Sequence, residues 1–188
     1  MRGDRRQAIL DATLQVIAAG GVHAVTHRAV AAAAGVPLAS TTYHFDSKDQ
    51  LVTETLALVI DRSVALAAEF STDPPGDLAG LVERLTTMTQ AQLRDTEAPL
   101  AAQFELMLEA GRRPELRPLA ERWDRAYAGC MNRLVAAAGL EPAAGPALTT
   151  LLEGALVAQL SLPRRNFRAR LATMLSTVVA GFGPPSGG

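Results

Sequence analysis

Apolar residues recur every three or four positions along almost the whole chain, which is the period of an amphipathic α-helix. One such stripe within residues 116–134 comprises Leu116, Leu119, Trp123, Tyr127, Cys130, Met131 and Leu134. Runs of β-branched residues are scarce, and no repeat of solenoid length is visible. The pattern therefore predicts an all-α fold.

Glycine and proline residues divide this pattern into segments, because they end helices and begin turns. We expect about nine helices, near 5–19, 27–34, 38–44, 47–70, 77–94, 98–110, 116–138, 144–161 and 166–181. The tail 183–188 contains no apolar anchor, and we expect it to be disordered.

The most informative segment is residues 26–48, THRAVAAAAGVPLASTTYHFDSK. A short helix of small residues ends at Gly35, which tolerates a left-handed backbone, and a second short helix begins at Leu38. This order is typical of a helix-turn-helix, whose second helix enters the major groove of DNA. The spacing of Thr41 and Phe45 turns both inward and leaves hydroxyl and aromatic side chains for phosphates and base edges.

The same segment resembles the DNA-binding domain of the TetR family of transcriptional regulators. The matching elements, in order and without a gap, are Thr26, Val30-Ala31, Ala34-Gly35-Val36, Tyr43-His44-Phe45, Ser47-Lys48 and Leu51. The chain departs from the pattern at Ala39, where many members have glycine, and at Thr41-Thr42, where many have Leu-Tyr. The resemblance implies a three-helix helix-turn-helix domain at 1–50 and a larger helical domain at 51–182 that binds an effector and dimerises.

The resemblance also implies which residues contact DNA. They are Thr26, Arg28, Leu38, Ser40, Thr42, Tyr43, His44 and Lys48. Thr26, Tyr43 and Lys48 occupy positions that commonly touch phosphates, and Arg28 one that reaches a base or a phosphate. The other four are candidates for base edges or the DNA backbone. Structural alternatives remain open: Thr26 could cap a helix, Lys48 could be a solvated charge, and His44 could pack beside the following phenylalanine.

A homodimer through the last two long helices is a further implication of the family architecture. The apolar stripes expected at that interface are Leu148, Leu151, Leu152, Ala155 and Leu156, with Phe167, Leu171, Met174, Leu175 and Val178. A four-helix bundle formed by two subunits would bury both stripes. The alternative is that both face the subunit's own core.

Methionine and aromatic residues of the helical body are candidates for an adaptable, largely apolar effector pocket. The candidates are Met88, Phe104, Met107, Leu108, Trp123, Tyr127, Cys130, Met131 and Gln159. The alternative is that most of them are ordinary core residues.

Composition and charge narrow the class of protein. The chain has 188 residues, 48% of them hydrophobic, and its 18 basic and 19 acidic side chains nearly cancel. A molecule-wide basic coat is thereby excluded, while a local basic patch is not. One cysteine cannot form an internal disulfide, and we find neither a signal-peptide core nor a membrane span. We therefore expect a cytoplasmic protein that does not bind a membrane.

An enzyme is disfavoured because His23, His27 and His44 all lie in the DNA-binding segment, and Cys130 has no catalytic partner nearby in sequence. Metal-ligand spacing is also missing, so we expect no metal and no cofactor. We expect a repressor that binds an inverted-repeat operator in double-stranded DNA as a homodimer and is released by a small, largely apolar effector. The alternative is a dimeric DNA-binding regulator without an effector, controlled by a protein partner.

Overall fold

A computed structural model of the chain describes residues 2–94 and 99–182, with side chains from Arg5 onward. This part of the chain contains nine α-helices and two short 3₁₀ helices. The α-helices are α1 (Arg2–Gly20), α2 (His27–Ala34), α3 (Leu38–His44), α4 (Lys48–Phe70), α5 (Leu78–Arg94), α6 (Leu100–Arg112), α7 (Arg117–Ala137), α8 (Ala144–Ser161) and α9 (Phe167–Val179). The all-α prediction is confirmed, while the tail 183–188 lies outside the described residues.

The chain forms two compact units that interleave along the sequence. The first unit comprises Met1–Ser63 and Asp95–Trp123, and the second comprises Val64–Arg94 and Asp124–Gly188. The chain passes from the first unit to the second within α4 and again within α7. A functional boundary near residue 50 stays a prediction.

In the first unit α1 packs against α2 and α6, and α2 packs against α3. Its fully buried side chains include Leu14, Val30, Phe45, Leu51 and Leu106. Full burial of each such side chain stabilises the fold by about 1.5–3 kcal/mol relative to exposure. A 3₁₀ helix, Val22–Ala24, connects α1 to α2 and also packs against α6.

The second unit is built from α5, α8, α9 and the C-terminal parts of α4 and α7. Leu81 and Leu85 of α5 are fully buried, as are Leu148 of α8 and Leu175 of α9. Arg168 on α9 forms an ion pair with Glu83 on α5, which adds a polar contact at the edge of this core. In the described part of the chain, no helix is long and apolar enough to cross a membrane.

Candidate DNA interface and effector residues

The turn between α2 and α3 is fixed by backbone and capping contacts. The Thr26 hydroxyl accepts a hydrogen bond from the backbone N–H of Ala29 at 3.0 Å and so caps α2. Gly35 has a φ of +63°, in the left-handed region that ends α2. The N–H of Val36 then donates to the carbonyl of Ala31 at 3.0 Å. Thr26 therefore caps α2, which was the structural alternative for this residue. Its contact with a phosphate stays a prediction.

Helix α3 turns one side inward, as its spacing predicts. Thr41 and Phe45 are completely buried, and the Thr41 hydroxyl donates to the carbonyl of Leu38 at 2.8 Å. On the outer side Tyr43 is 65% exposed and Leu38 is 45% exposed. An outward tyrosine and leucine are accessible to a ligand as large as DNA, because much of each side chain lies at the protein surface.

His44 is less available than its neighbours. Its ring lies edge-on to the ring of Tyr43, with centroids 5.1 Å apart, and is 6.4 Å from the ring of Phe45. The side chain is half-buried, as is that of Ser40. His44 therefore packs beside Phe45, which was the structural alternative for this residue. Ala39 and Thr42, on the same helix, are exposed.

The first turn of α4 follows α3 directly and is held by a reciprocal cap. The N–H of Gln50 donates to the Ser47 hydroxyl at 3.1 Å, and the Gln50 side chain accepts from the N–H of Asp46 at 2.6 Å. Lys48 extends back to the 3₁₀ helix, where its Nζ donates to the carbonyl of His23 at 3.1 Å. The ammonium is thus positioned at the edge of the helix-turn-helix rather than freely solvated.

Two other basic residues of this region differ in their surroundings. The Arg6 guanidinium lies over the ring of Phe45, with its Cζ 5.3 Å from the ring centroid. Arg28, in the first turn of α2, is exposed. Arg28 is therefore the arginine of the helix-turn-helix whose exposed side chain is best placed to reach DNA.

Helix α6 makes polar contacts with the helix-turn-helix region that the sequence did not predict. Arg113, directly after α6, donates from Nη1 to Asp49 Oδ1 at 2.6 Å and from Nε to Glu109 Oε1 at 2.5 Å. The hydrogen bond with Asp49 is the main reason that the pKa of Arg113 is raised. Glu105 on α6 accepts from the N–H of Val22 at 3.5 Å. No local signal pairs Arg113 with Asp49 or Glu105 with Val22, because these partners lie far apart in sequence.

The residues predicted for the dimer interface divide into two sets. Five of them are buried inside the single chain: Leu148, Leu152, Leu156, Leu171 and Leu175. Each of the five is at most 4% exposed in the single chain, as the alternative of a place in the subunit's own core requires. The other five are half-buried or exposed: Leu151, Ala155, Phe167, Met174 and Val178.

The outward residues of α8 and α9 line a shallow groove of about 320 Å³. The residues that line it include Gly154, Ala155 and Ala158 on α8 and Met174 on α9. Small residues on α8 leave room for another helix to approach closely, and Met174 is 39% exposed. This outer face of α8 and α9 is the surface on which the dimer prediction now rests.

The effector candidates are distributed over both units. Met88, Tyr127, Cys130 and Met131 are buried in the second unit. On α6, in the first unit, Phe104 and Met107 are half-buried, while Leu108 is 60% exposed. Trp123 is half-buried at the end of the first unit's sequence.

Gln159 has a structural role at the end of α8. Its side chain accepts from the N–H of Arg164 at 3.0 Å and donates to the carbonyl of the same residue at 3.3 Å. The amide thereby closes the turn between α8 and α9, and the side chain also lines the α8–α9 groove. These hydrogen bonds give Gln159 a function in the fold that does not involve an effector.

Polar groups accompany the buried effector candidates of the second unit. Gln92 on α5 donates to the hydroxyl of Tyr127, and burial raises the pKa of Tyr127 to about 12 despite that hydrogen bond. Cys130 donates to the carbonyl of Ala67 at 3.2 Å and accepts from the Ser71 hydroxyl at 3.0 Å. The cysteine thiol is therefore satisfied within the fold.

Glu153 on α8 belongs to the same unit and was not predicted from the sequence. It is half-buried, and its pKa is raised first by burial and then by repulsion from Asp124. The sequence does distinguish this residue, because Glu153 is the only charged residue between Glu141 and Arg164. A lone acid in an apolar helix is a recognisable candidate for a functional group.

A capped helix-turn-helix with an exposed second helix, joined to a larger all-helical body, defines a DNA-binding regulator. Comparisons with known families agree. Residues 9–55 match the family described as "Bacterial regulatory proteins, tetR family", and residues 76–181 match "Tetracyclin repressor-like, C-terminal domain". The second match alone spans more than half of the chain. The chain therefore belongs to the TetR family of transcriptional regulators.

Relatives and solved structures are similar over most of the chain. The nicotine-responsive transcriptional repressor HdnoR of Paenarthrobacter nicotinovorans is 29% identical over 72% of this chain and 69% of its own length. The crystal structure of SCO7518 from Streptomyces coelicolor A3(2) has a TM-score of 0.71 and 29% identity, covering 93% of this chain and 98% of that one. The multidrug binding protein EbrR, complexed with ethidium, has a TM-score of 0.67 and 31% identity with the same coverage.

These relationships assign the chain a regulatory rather than an enzymatic role. Among the described residues, no group of three or more His, Cys, Asp or Glu side chains is arranged to hold a metal ion.

Proposed function

We propose that this protein is a repressor that binds an inverted-repeat operator as a homodimer and is released from it by a small, largely apolar effector. The observation that carries the proposal is the outer face of α3, where Leu38 and Tyr43 are exposed above the buried pair Thr41 and Phe45. A short helix that exposes such side chains next to a capped turn suits insertion into the major groove.

The phosphate contacts in this proposal come from Tyr43 on α3 and from two basic residues on the neighbouring helices. Tyr43 is on the helix itself, Lys48 is held against the carbonyl of His23, and Arg28 is exposed on α2. Phosphate contacts fix the orientation of the protein, and base contacts determine sequence preference. Thr26 caps α2 and contributes its hydroxyl only as a secondary contact.

The homodimer is proposed to form through the outer face of α8 and α9. Leu151, Ala155, Phe167, Met174 and Val178 supply apolar surface that the single chain leaves at least partly accessible. Two such faces related by a two-fold axis would form an antiparallel or crossed bundle of four helices. The two recognition helices could then meet major grooves roughly 34–36 Å apart on one side of the DNA.

The effector class is supported by both the residues and the relatives. HdnoR is named as nicotine-responsive, and EbrR has been crystallised with ethidium; nicotine and ethidium are both small aromatic compounds. Met88, Tyr127 and Met131 supply the adaptable apolar side chains that such compounds require. Glu153 would favour an effector with positive charge over one with negative charge.

Release from DNA requires the effector to bind more tightly to the conformation that cannot bind DNA than to the one that can. An effector with equal affinity for both conformations would not change their populations. A coupling free energy of about 1–3 kcal/mol corresponds to a 5- to 150-fold loss of operator affinity. Helix α6 carries Phe104 and Met107 and ends at Arg112, and the next residue, Arg113, contacts Asp49 at the start of α4. A shift of α6 would therefore disturb the residues next to α3.

The test begins with the full chain and a library of random duplex DNA. Selected duplexes should contain an inverted repeat, and their binding should be measured with and without ethidium. Ethidium also binds free DNA, so its binding to the protein is recorded first without DNA, through the fluorescence of Trp123, the only tryptophan. Nicotine, which intercalates far less readily, serves as the second probe in the DNA release assay.

Each outcome decides a part of the proposal. An inverted repeat with effector-dependent release supports it in full. Binding of DNA that no small aromatic probe alters would favour the alternative in which a protein partner controls the regulator. Failure to select any duplex would contradict the proposed function itself.

A further inference from the structure

We propose that α3 recognises thymine through its 5-methyl group, using Leu38, Ala39 and Thr42, and does not read guanine or adenine by paired hydrogen bonds. This inference rests on the proposed DNA-binding function and specifies which feature of the bases the same surface recognises. It begins with the composition of α3, LASTTYH, which contains no arginine, lysine, asparagine, glutamine, aspartate or glutamate. Those are the side chains that form the most selective hydrogen bonds to guanine, adenine and cytosine in the major groove, whereas serine and threonine hydroxyls bond less selectively.

The hydroxyl groups of α3 do not replace them. Thr41 is completely buried, and its hydroxyl donates to the carbonyl of Leu38 at 2.8 Å. The Thr42 hydroxyl lies 3.3 Å from the carbonyl of Ala39 and 3.5 Å from that of Leu38, so its hydrogen is directed back to the helix. The methyl group of Thr42 is then the part of this exposed side chain that is offered to DNA. Ser40 is half-buried.

The exposed groups that remain are apolar and contiguous. Leu38 and Thr42 are four residues apart, and Ala39 and Thr42 are three apart, so the three side chains are neighbours on the helix surface. All three are exposed, and Leu38 is 45% exposed. Tyr43, four residues after Ala39, borders this strip with its own exposed ring.

An apolar strip in the major groove has one base-specific partner. Thymine presents a methyl group there, whereas cytosine, adenine and guanine present polar atoms at the groove surface. Contact between an apolar side chain and the thymine methyl is a recognised mode of direct readout. The half-sites should therefore be rich in thymine beneath α3, and any guanine contact should come from a residue outside α3.

The experiment uses the full chain and an operator selected from random duplex DNA. Each thymine of one half-site is replaced in turn by deoxyuridine, which lacks only the 5-methyl group and keeps every hydrogen bond. Burial of a methyl group is worth about fourfold in affinity, so replacement beneath α3 should weaken binding about fourfold in one half-site. Simultaneous replacement in both half-sites should weaken it about fifteenfold.

Two variants identify the side chains responsible. L38A should reduce the deoxyuridine penalty at its thymine to less than about twofold, because the contact that senses the methyl has gone. The matched control, R28A, should weaken binding to both DNAs and leave the ratio of their affinities unchanged. Both substitutions are at exposed helix positions where alanine is a good helix former, so the fold should be retained.

The outcomes separate this inference from the proposed function. A selected operator that binds equally well with deoxyuridine at every thymine overturns the methyl readout, while DNA binding stands. An unaltered deoxyuridine penalty in L38A overturns the proposed role of Leu38 and assigns the readout of the methyl group to another residue. If no duplex is selected, the proposed function fails and this inference fails with it.

Discussion

Arg113 and Asp49, 64 residues apart in the sequence, form an ion pair in which Nη1 of the arginine lies 2.6 Å from Oδ1 of the aspartate. Asp49 is in the first turn of α4, where a negative charge is favourable at the positive end of the helix dipole. Arg113 is in turn held by Glu109 of α6. The end of α6 is thereby connected to Asp49 in the first turn of α4, directly after Lys48.

Removing this ion pair should weaken DNA binding without unfolding the protein. R113A should lower operator affinity by up to about fivefold, because an exposed pair contributes about 1 kcal/mol or less and its loss frees the first turn of α4. The measurement is fluorescence anisotropy with labelled operator, accompanied by urea unfolding. The matched control is R112A, since Arg112 contacts Glu109 on its own helix at 3.3 Å. Equal losses in both variants would contradict a specific role for Arg113.

Lys48 and Tyr43 should differ in their dependence on salt. K48A removes a cation from each subunit, so the slope of log affinity against log salt should become shallower by about 1.8 for the dimer. Tyr43→Phe removes a neutral hydroxyl and should weaken binding without changing that slope. Affinities measured between about 50 and 200 mM salt give both slopes. An unchanged slope in K48A would mean that its ammonium remains on the carbonyl of His23 and touches no phosphate.

Charge on the outer face of α8 and α9 should separate the subunits without unfolding them. M174D places a carboxylate at a position that is 39% exposed in the single chain, and only dimerisation would desolvate it. Light scattering should report a folded monomer with weak operator binding. L175D is the contrasting variant, because Leu175 is completely buried and a charge there should unfold the second unit. A stable M174D dimer would place the interface elsewhere.

Tyr127 should make the protein sensitive to alkaline pH. Its pKa is about 12 in the fold, against 10.0 for an ordinary tyrosine, so the unfolded chain releases this proton first. The free energy of unfolding should therefore be unaffected below about pH 9 and fall by roughly 2–3 kcal/mol as the pH rises from 10 to 12. The measurement is the difference between wild type and Y127F in urea unfolding at several pH values. A difference that stays constant with pH would show that Tyr127 ionises as freely in the fold as in the unfolded chain.

Local chemistry made much of the fold predictable from the sequence. The spacing of Thr41 and Phe45 correctly predicted the inner side of α3. The observed cap of α4 by Ser47 and Gln50 likewise depends on two residues only three positions apart. Gly35 was expected to end α2 and does so in the left-handed conformation. Each of these features depends on residues within a few positions of one another, which is the range that sequence patterns describe.

Contacts between distant segments were not predictable in this way. An apolar stripe shows that a helix buries one face, but not whether the chain itself or a second subunit covers it. Leu152 and Leu175 were therefore assigned to the dimer interface, although both lie in the subunit's own core. Likewise nothing in the sequence pairs Arg113 with Asp49, because only the fold brings them together.

Binding of one inverted repeat by two copies of α3 is tested most directly by the spacing of the half-sites. The selected operator is compared with a version that has five base pairs, about half a helical turn, inserted at its centre. The insertion should lower affinity to that of a single half-site, because the second recognition helix then faces the wrong side of the DNA. Equal affinity for both duplexes would contradict recognition by two copies of α3.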